Sequence, residues 1–81
     1  MNHLLNNEMT SSNRMTTFFL NGEQFYTSET ITLRQIIDYF DYNPSLLVLE
    51  LNHFVCAKNG WDKLKIEHKD KIEIVTIVGG G

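Results

Sequence analysis

The chain announces its elements through the spacing of its apolar residues. A β-rich run, Thr16 to Leu20, breaks at Asn21-Gly22 and resumes as Glu23 to Thr27. Asn-Gly tolerates positive φ at both central positions of a two-residue turn, so these runs predict a hairpin. Parity puts Phe18 and Leu20 on one face, taken as the core side. The period then changes. Leu33, Ile36, Ile37 and Phe40 recur at helical spacing, Thr32 and Gln35 form a capping box, and Ile31 is placed to staple onto Ile36. Asn43-Pro44 is the expected stop, because proline disfavours helical dihedrals in the residue before it. Tyr39 and Tyr42 read as packing residues.

Leu46 to Leu51 is the next predicted strand, with Asn52-His53 as a turn into Phe54 to Lys58. Asn59-Gly60-Trp61 predicts a loop with a short helical turn through Leu64, and Trp61 is expected to cap one end of the core. Lys69-Asp70 then turns the chain into a final strand, Ile72 to Val78, in which Glu73 and Thr76 interrupt β-branched and apolar residues. With that strand beside the first, the crossover rule yields an α+β roll, a mixed sheet packed on one main helix. The expected core is Phe18, Leu20, Leu33, Ile36, Ile37, Phe40, Leu49, Leu51, Val55, Ile72 and Ile74. The same parity turns Val48, Phe54, Cys56, Val75 and Ile77 outward, as an apolar patch suited to partner binding beside the end of the final strand.

Composition narrows the function classes. A chain of 81 residues makes one domain, which buries about 60% of its unfolded surface and leaves little room for an enclosed active site. Seven Lys and Arg against ten Asp and Glu give a net charge of −3, and no basic stripe offers itself to nucleic acid. No apolar run approaches membrane-spanning length. One cysteine, Cys56, fits a reducing compartment. Residues 1–14, rich in Asn and Ser, read as a disordered leader without the apolar core of a secretory signal. His53 is expected to be a turn residue; it, His3, His68 and Cys56 lack metal-ligand spacing, so no metal is assigned. Cys56, Asp62, Glu67 and His68 show no nucleophile-and-base spacing either.

The chemistry is concentrated at the other end. The domain, residues 15–78, leads into Gly79-Gly80-Gly81. Without Cβ atoms these residues can thread a channel closed to other side chains, so Gly79 and Gly80 provide access to the terminal carboxylate. Extended, the last four residues span about 13 Å. A free α-carboxyl is ionised at neutral pH and a poor electrophile, so it needs activation, most simply by ATP. The glycines precede no helix and no Lys-Ser/Thr pair follows them, so the activating site is expected on a partner.

An ordered set of residues carries a family resemblance. Asn21-Gly22-Glu23, Thr32-Leu33 with Ile36-Ile37, Glu50-Leu51-Asn52, Trp61, and Asp70 to Thr76 followed by Val78-Gly79-Gly80-Gly81 together resemble the small sulfur carrier proteins of thiamine biosynthesis, from about Met15 onward. The resemblance implies the ubiquitin-like β-grasp fold and a protein that is a substrate rather than an enzyme. An ATP-dependent adenylyltransferase would convert the Gly81 carboxylate to an acyl-adenylate. Sulfur from a donor would replace the adenylate, and the thiocarboxylate would pass to thiazole synthase. The carrier itself would hold no cofactor and work in the cytoplasm, or in the plastid stroma if organelle-encoded. The sulfur-donating subunit of molybdenum cofactor synthesis and a ubiquitin-like protein modifier share the fold and the tail, and stand as alternatives. The three glycines, the Val75 to Val78 approach and the short connectors favour the thiamine branch.

Overall fold

The computed structural model describes residues 15–77. The expected leader, the end of the final strand at Val78 and the glycine tail lie outside the described residues. Five strands, β1 (Thr16–Leu20), β2 (Glu23–Thr27), β3 (Leu47–Leu51), β4 (Phe54–Cys56) and β5 (Asp70–Thr76), and one helix, α1 (Leu33–Tyr39), make up the regular structure. They form one sheet in the order β2-β1-β5-β3-β4. β1 and β5 run parallel while the other neighbours are antiparallel, so the expected α+β roll on one helix is the fold observed.

The helix forms where its sequence signals it. Thr32 Oγ1 accepts from the Gln35 N–H, and the Gln35 side chain accepts from the Thr32 N–H, completing the capping box. The two remaining free donors of the first turn reach into the connector between β4 and β5: Leu33 N–H to Leu64 O and Arg34 N–H to Trp61 O, both at 3.0 Å. The connector therefore has a structural task, and it supplies Trp61 and Ile66 to the core. Ile31, Leu47, Trp61 and Ile66 join Phe18, Leu20, Leu33, Ile36, Ile37, Leu49, Ile72 and Ile74 in a single buried cluster. Trp61 is enclosed rather than capping the rim, and its indole N–H donates to Cys56 O at 3.1 Å.

The helix stops before Asn43-Pro44. Asp41 takes φ +60°, the Tyr42 N–H bonds to Ile37 O and the Asp41 N–H to Asp38 O. This is a Schellman cap, in which the left-handed position is ordinarily glycine. Phe40, expected inside, becomes the half-buried cap residue. An Asp41→Gly variant is therefore expected to stabilise the domain by about 0.5–1 kcal/mol, the steric cost that a side chain incurs at positive φ. A midpoint shift to higher urea with unchanged slope is the measurement; no shift would mean that Asp41 compensates by a local interaction.

The second hairpin corrects one part of the sequence reading. Asn52 and His53 occupy positive φ, 52° and 72°, the type I′ geometry of a two-residue turn. Such a turn places Leu51 directly opposite Phe54 and Leu49 opposite Cys56, and directly opposed residues share a face. Cys56 therefore lies on the helix side with Leu49, packed against the core, and Val55 points away from it. The assignment of Val55 to the core and of Phe54 and Cys56 to the outer face is overturned, because across a two-residue turn Phe54 opposes the inward Leu51 and that pair sets every side-chain direction in β4. The strand also ends at Cys56 rather than continuing to Lys58, as the chain turns into a 3₁₀ turn at Lys58–Gly60.

Candidate docking face at the root of the C-terminus

β5 is the central strand, and both hairpin turns clamp it. From one side, the Asn21 N–H donates to Ile72 O and Asn21 Oδ1 accepts from the Ile74 N–H, each at 2.8 Å. From the other, the Asn52 N–H donates to Lys71 O, Asn52 Oδ1 accepts from the Lys71 N–H, and Asn52 Nδ2 donates to Asp70 Oδ1. Buried Asp70 then accepts from the Glu67 N–H at 2.7 Å through its second oxygen. The start of the strand is tied further by the Thr17 N–H, which donates to His68 Nδ1. A strand held at so many backbone points has a fixed axial position, and so does the point at which it delivers Ile77, the last described residue.

Side-chain directions follow from the ladder. Leu47, Leu49 and Leu51 pair with Thr76, Ile74 and Ile72 on the helix side. The intervening pairs, Val48 with Val75 and Glu50 with Glu73, face away from the helix. The Ile77 N–H bonds to Leu46 O at 2.6 Å, which continues the alternation by one further outward pair. Leu46, Val48, Val75 and Ile77 thus form a quartet at the root of the C-terminal segment. Leu46 is 47%, Val75 56% and Ile77 51% exposed. Contiguous exposure of this kind is what interfaces are made of.

The expected patch is therefore kept in part and redrawn in part. Val48, Val75 and Ile77 stand together as expected. Phe54, although 76% exposed, sits opposite Leu51 and so on the helix-side face, at the far corner of the sheet, roughly 16 Å along β5 from Ile77 at about 3.3 Å per residue. Cys56 shares that face, so neither belongs to the outward patch. Leu46 and Val55 stand outside the expected patch; fixing the register from the two-residue turn finds Val55, and carrying the alternation from Val48 back to Leu46, the first residue of the predicted strand, finds Leu46. Gly79, Gly80 and Gly81 lie outside the described residues. Among the described residues, no three His, Cys, Asp or Glu side chains lie close enough to hold a metal ion, and no helix is long and apolar enough to cross a membrane.

Comparisons with known proteins agree with this geometry. Residues 13–81 match the family model described as ThiS family. The chain belongs to the ThiS family. Among similar proteins, the uncharacterized protein ycf40 of Trieres chinensis is 56% identical over 73 residues, covering 90% of this chain and 100% of that protein. The uncharacterized protein ycf40 of Porphyra purpurea is 37% identical over 62 residues, covering 76% and 87%. A crystal structure of the thiamine biosynthesis protein ThiS from Geobacter metallireducens superposes with a TM-score of 0.70 at 19% identity, over 82% of this chain and all of that one. At that identity the superposition speaks for the fold, a ubiquitin-like β-grasp, which this ThiS-family chain shares.

Proposed function

We propose that this ThiS-family chain is a sulfur carrier of thiazole biosynthesis and a substrate of partner enzymes rather than an enzyme. In this reading an ATP-dependent adenylyltransferase activates the Gly81 carboxylate as its acyl-adenylate. A sulfur donor then displaces AMP, and the resulting thiocarboxylate hands its sulfur to thiazole synthase. The observation that carries the reading is the placement of the clamped central strand: it delivers Ile77 into an apolar quartet of which Leu46, Val75 and Ile77 are exposed, and the sequence continues from there into Val78 and three glycines. A partner can hold the domain by that quartet while the glycines enter its site, and shield the adenylate from water. Cys56 belongs to the packing under this scheme, since its thiol faces the helix side. The single cysteine fits a reducing compartment, the cytoplasm or plastid stroma.

Intact mass spectrometry tests the proposal. Incubation with ATP, the activating partner and a sulfur donor should exchange one oxygen of the chain for sulfur, and stable adducts of the chain on other proteins would instead identify a modifier. Substitutions on the two corners of the sheet should behave differently. Leu46→Asp and Ile77→Asp are expected to weaken partner binding about tenfold or more without unfolding the domain, the scale of a buried interface contact replaced by a charge. Phe54→Asp, at the far corner, should leave partner affinity within about twofold, since surface changes outside an interface have small effects. Equal losses at Phe54 and Ile77, measured by titration calorimetry, would show that the footprint reaches the helix-side face at the far corner and would overturn the quartet as its centre.

A further inference from the structure

The face that carries the quartet also holds two carboxylates where a sheet ordinarily avoids them. Glu50 and Glu73 are directly opposed across the β3–β5 ladder, in a hydrogen-bonded pair whose Cα atoms stand about 5.5 Å apart. Like charges so placed destabilise a sheet. Neither carboxylate has a salt-bridge partner among the described residues, whose ion pair is Arg34 with Asp38 on the helix. Val48 and Val75 lie next along both strands toward the C-terminus, and Val55 faces Glu50 from β4. On the remaining side Lys71 precedes Glu73 by two residues, level with Phe19 of β1. Apolar neighbours strengthen both the repulsion within the pair and the attraction of any cation brought to it.

Several occupants are excluded by charge. A second copy of this face would gather four carboxylates, and a phosphate backbone would be repelled. Among the described residues, no third His, Cys, Asp or Glu side chain joins the two carboxylates to hold a metal ion. Position favours a protein. The segment beyond Ile77 reaches about 13 Å when extended, so whatever acts on Gly81 must border the quartet. Glu50 and Glu73 lie one strand pair further back, about 7 Å away, inside a footprint of about 800 Å².

We propose that the Glu50–Glu73 pair is an electrostatic anchor for the protein that activates Gly81, and that an arginine or lysine of that partner, set among apolar side chains, seats between the two carboxylates while its neighbours cover Leu46, Val48, Val75 and Ile77. Arginine suits the site best, because its planar fork can donate to both carboxylates at once. The repulsion stored in the free carrier is relieved on docking, so the pair trades stability of the isolated domain for affinity. The proposal rests on the carrier reading.

The test uses the full chain in an ATP–pyrophosphate exchange assay with the ATP-dependent adenylyltransferase of the same source. Glu50→Gln/Glu73→Gln should raise the KM for the carrier about tenfold, leave the maximal rate within about twofold, and flatten the dependence of KM on salt. Its thermal unfolding midpoint should equal or exceed that of the parent, which a merely structural role for the carboxylates would not produce. Glu23→Gln/Glu29→Gln, the same two-charge change at exposed positions on β2 and in the segment that follows it, should leave KM unchanged. An unaltered KM in the double variant overturns the anchor while exchange at Gly81 keeps the carrier reading. A rise in KM as large in Glu23→Gln/Glu29→Gln reduces the effect to net charge and also overturns it. Absence of exchange with the parent chain overturns the carrier reading and the anchor together.

Discussion

Deleting Gly81 is expected to abolish formation of the C-terminal thiocarboxylate and thiazole synthesis while leaving the thermal unfolding curve in place. The chemistry of the proposed carrier resides in one α-carboxylate, and shortening the chain by a residue withdraws it by about 3.3 Å from the point where the nucleotide phosphate must be attacked. Reacting atoms need to approach within about 3–3.5 Å, so a loss of this size removes the near-attack geometry altogether. Stability should be indifferent, because the buried cluster of the described residues ends with Ile74 and a chain end beyond it adds little burial. Replacing Gly80 by Val should also block activation, here by adding a branched side chain to a segment chosen for having none. Intact mass spectrometry and calorimetry on the same samples decide the matter. A truncated protein that still gains sulfur would sink the carrier proposal, and normal adenylation of the Gly80→Val variant would remove the argument for a narrow channel.

Truncating Ile37 to alanine should cost about 2–5 kcal/mol. The side chain is fully buried, on the stripe of α1 that faces Phe18, Leu49 and Ile72 in one cluster. Three methylene equivalents are removed there, and the cavity left behind cannot collapse easily because the helix is fixed at both ends. Its start is held by the capping box and by the connector carbonyls of Trp61 and Leu64, its end by the Schellman bonds around Asp41. A domain of this size commands only about 5–15 kcal/mol in total, so the variant should unfold at markedly lower urea and could lose its fold near physiological temperature. Equilibrium denaturation at 25 °C measures the effect. A loss below about 1 kcal/mol would mean that α1 can settle onto the sheet, contrary to the anchoring at its two ends.

The elements and their order are legible in the sequence because each is specified by contacts a few residues apart. The Asn21-Gly22 turn, the Thr32–Gln35 capping box and the alternation through Ile72 and Ile74 act within single hairpins or turns, and all three appear in the structure where the spacing puts them. The glycine-ended tail is legible for the same reason, as three consecutive residues. What the sequence left open was decided by relations between elements. Cross-strand pairing set Phe54 and Cys56 opposite the inward Leu51 and Leu49 and so reversed the expected facing of β4, although the Asn52-His53 turn itself is legible in the sequence. The helix ends at Tyr39, ahead of the proline, because Asp41 takes the left-handed position, Tyr42 packs on the core and the Tyr42 N–H closes the cap on Ile37. Trp61 and Ile66 entered the core only because the connector is drawn onto the first turn of α1, which needs its carbonyls. The opposition of Glu50 and Glu73 exists solely through the pairing of β3 with β5, between residues 23 apart in the chain. Local periodicity records which residues alternate; it carries no information about which of them will face each other, because that is determined by where distant strands come to rest on a shared core.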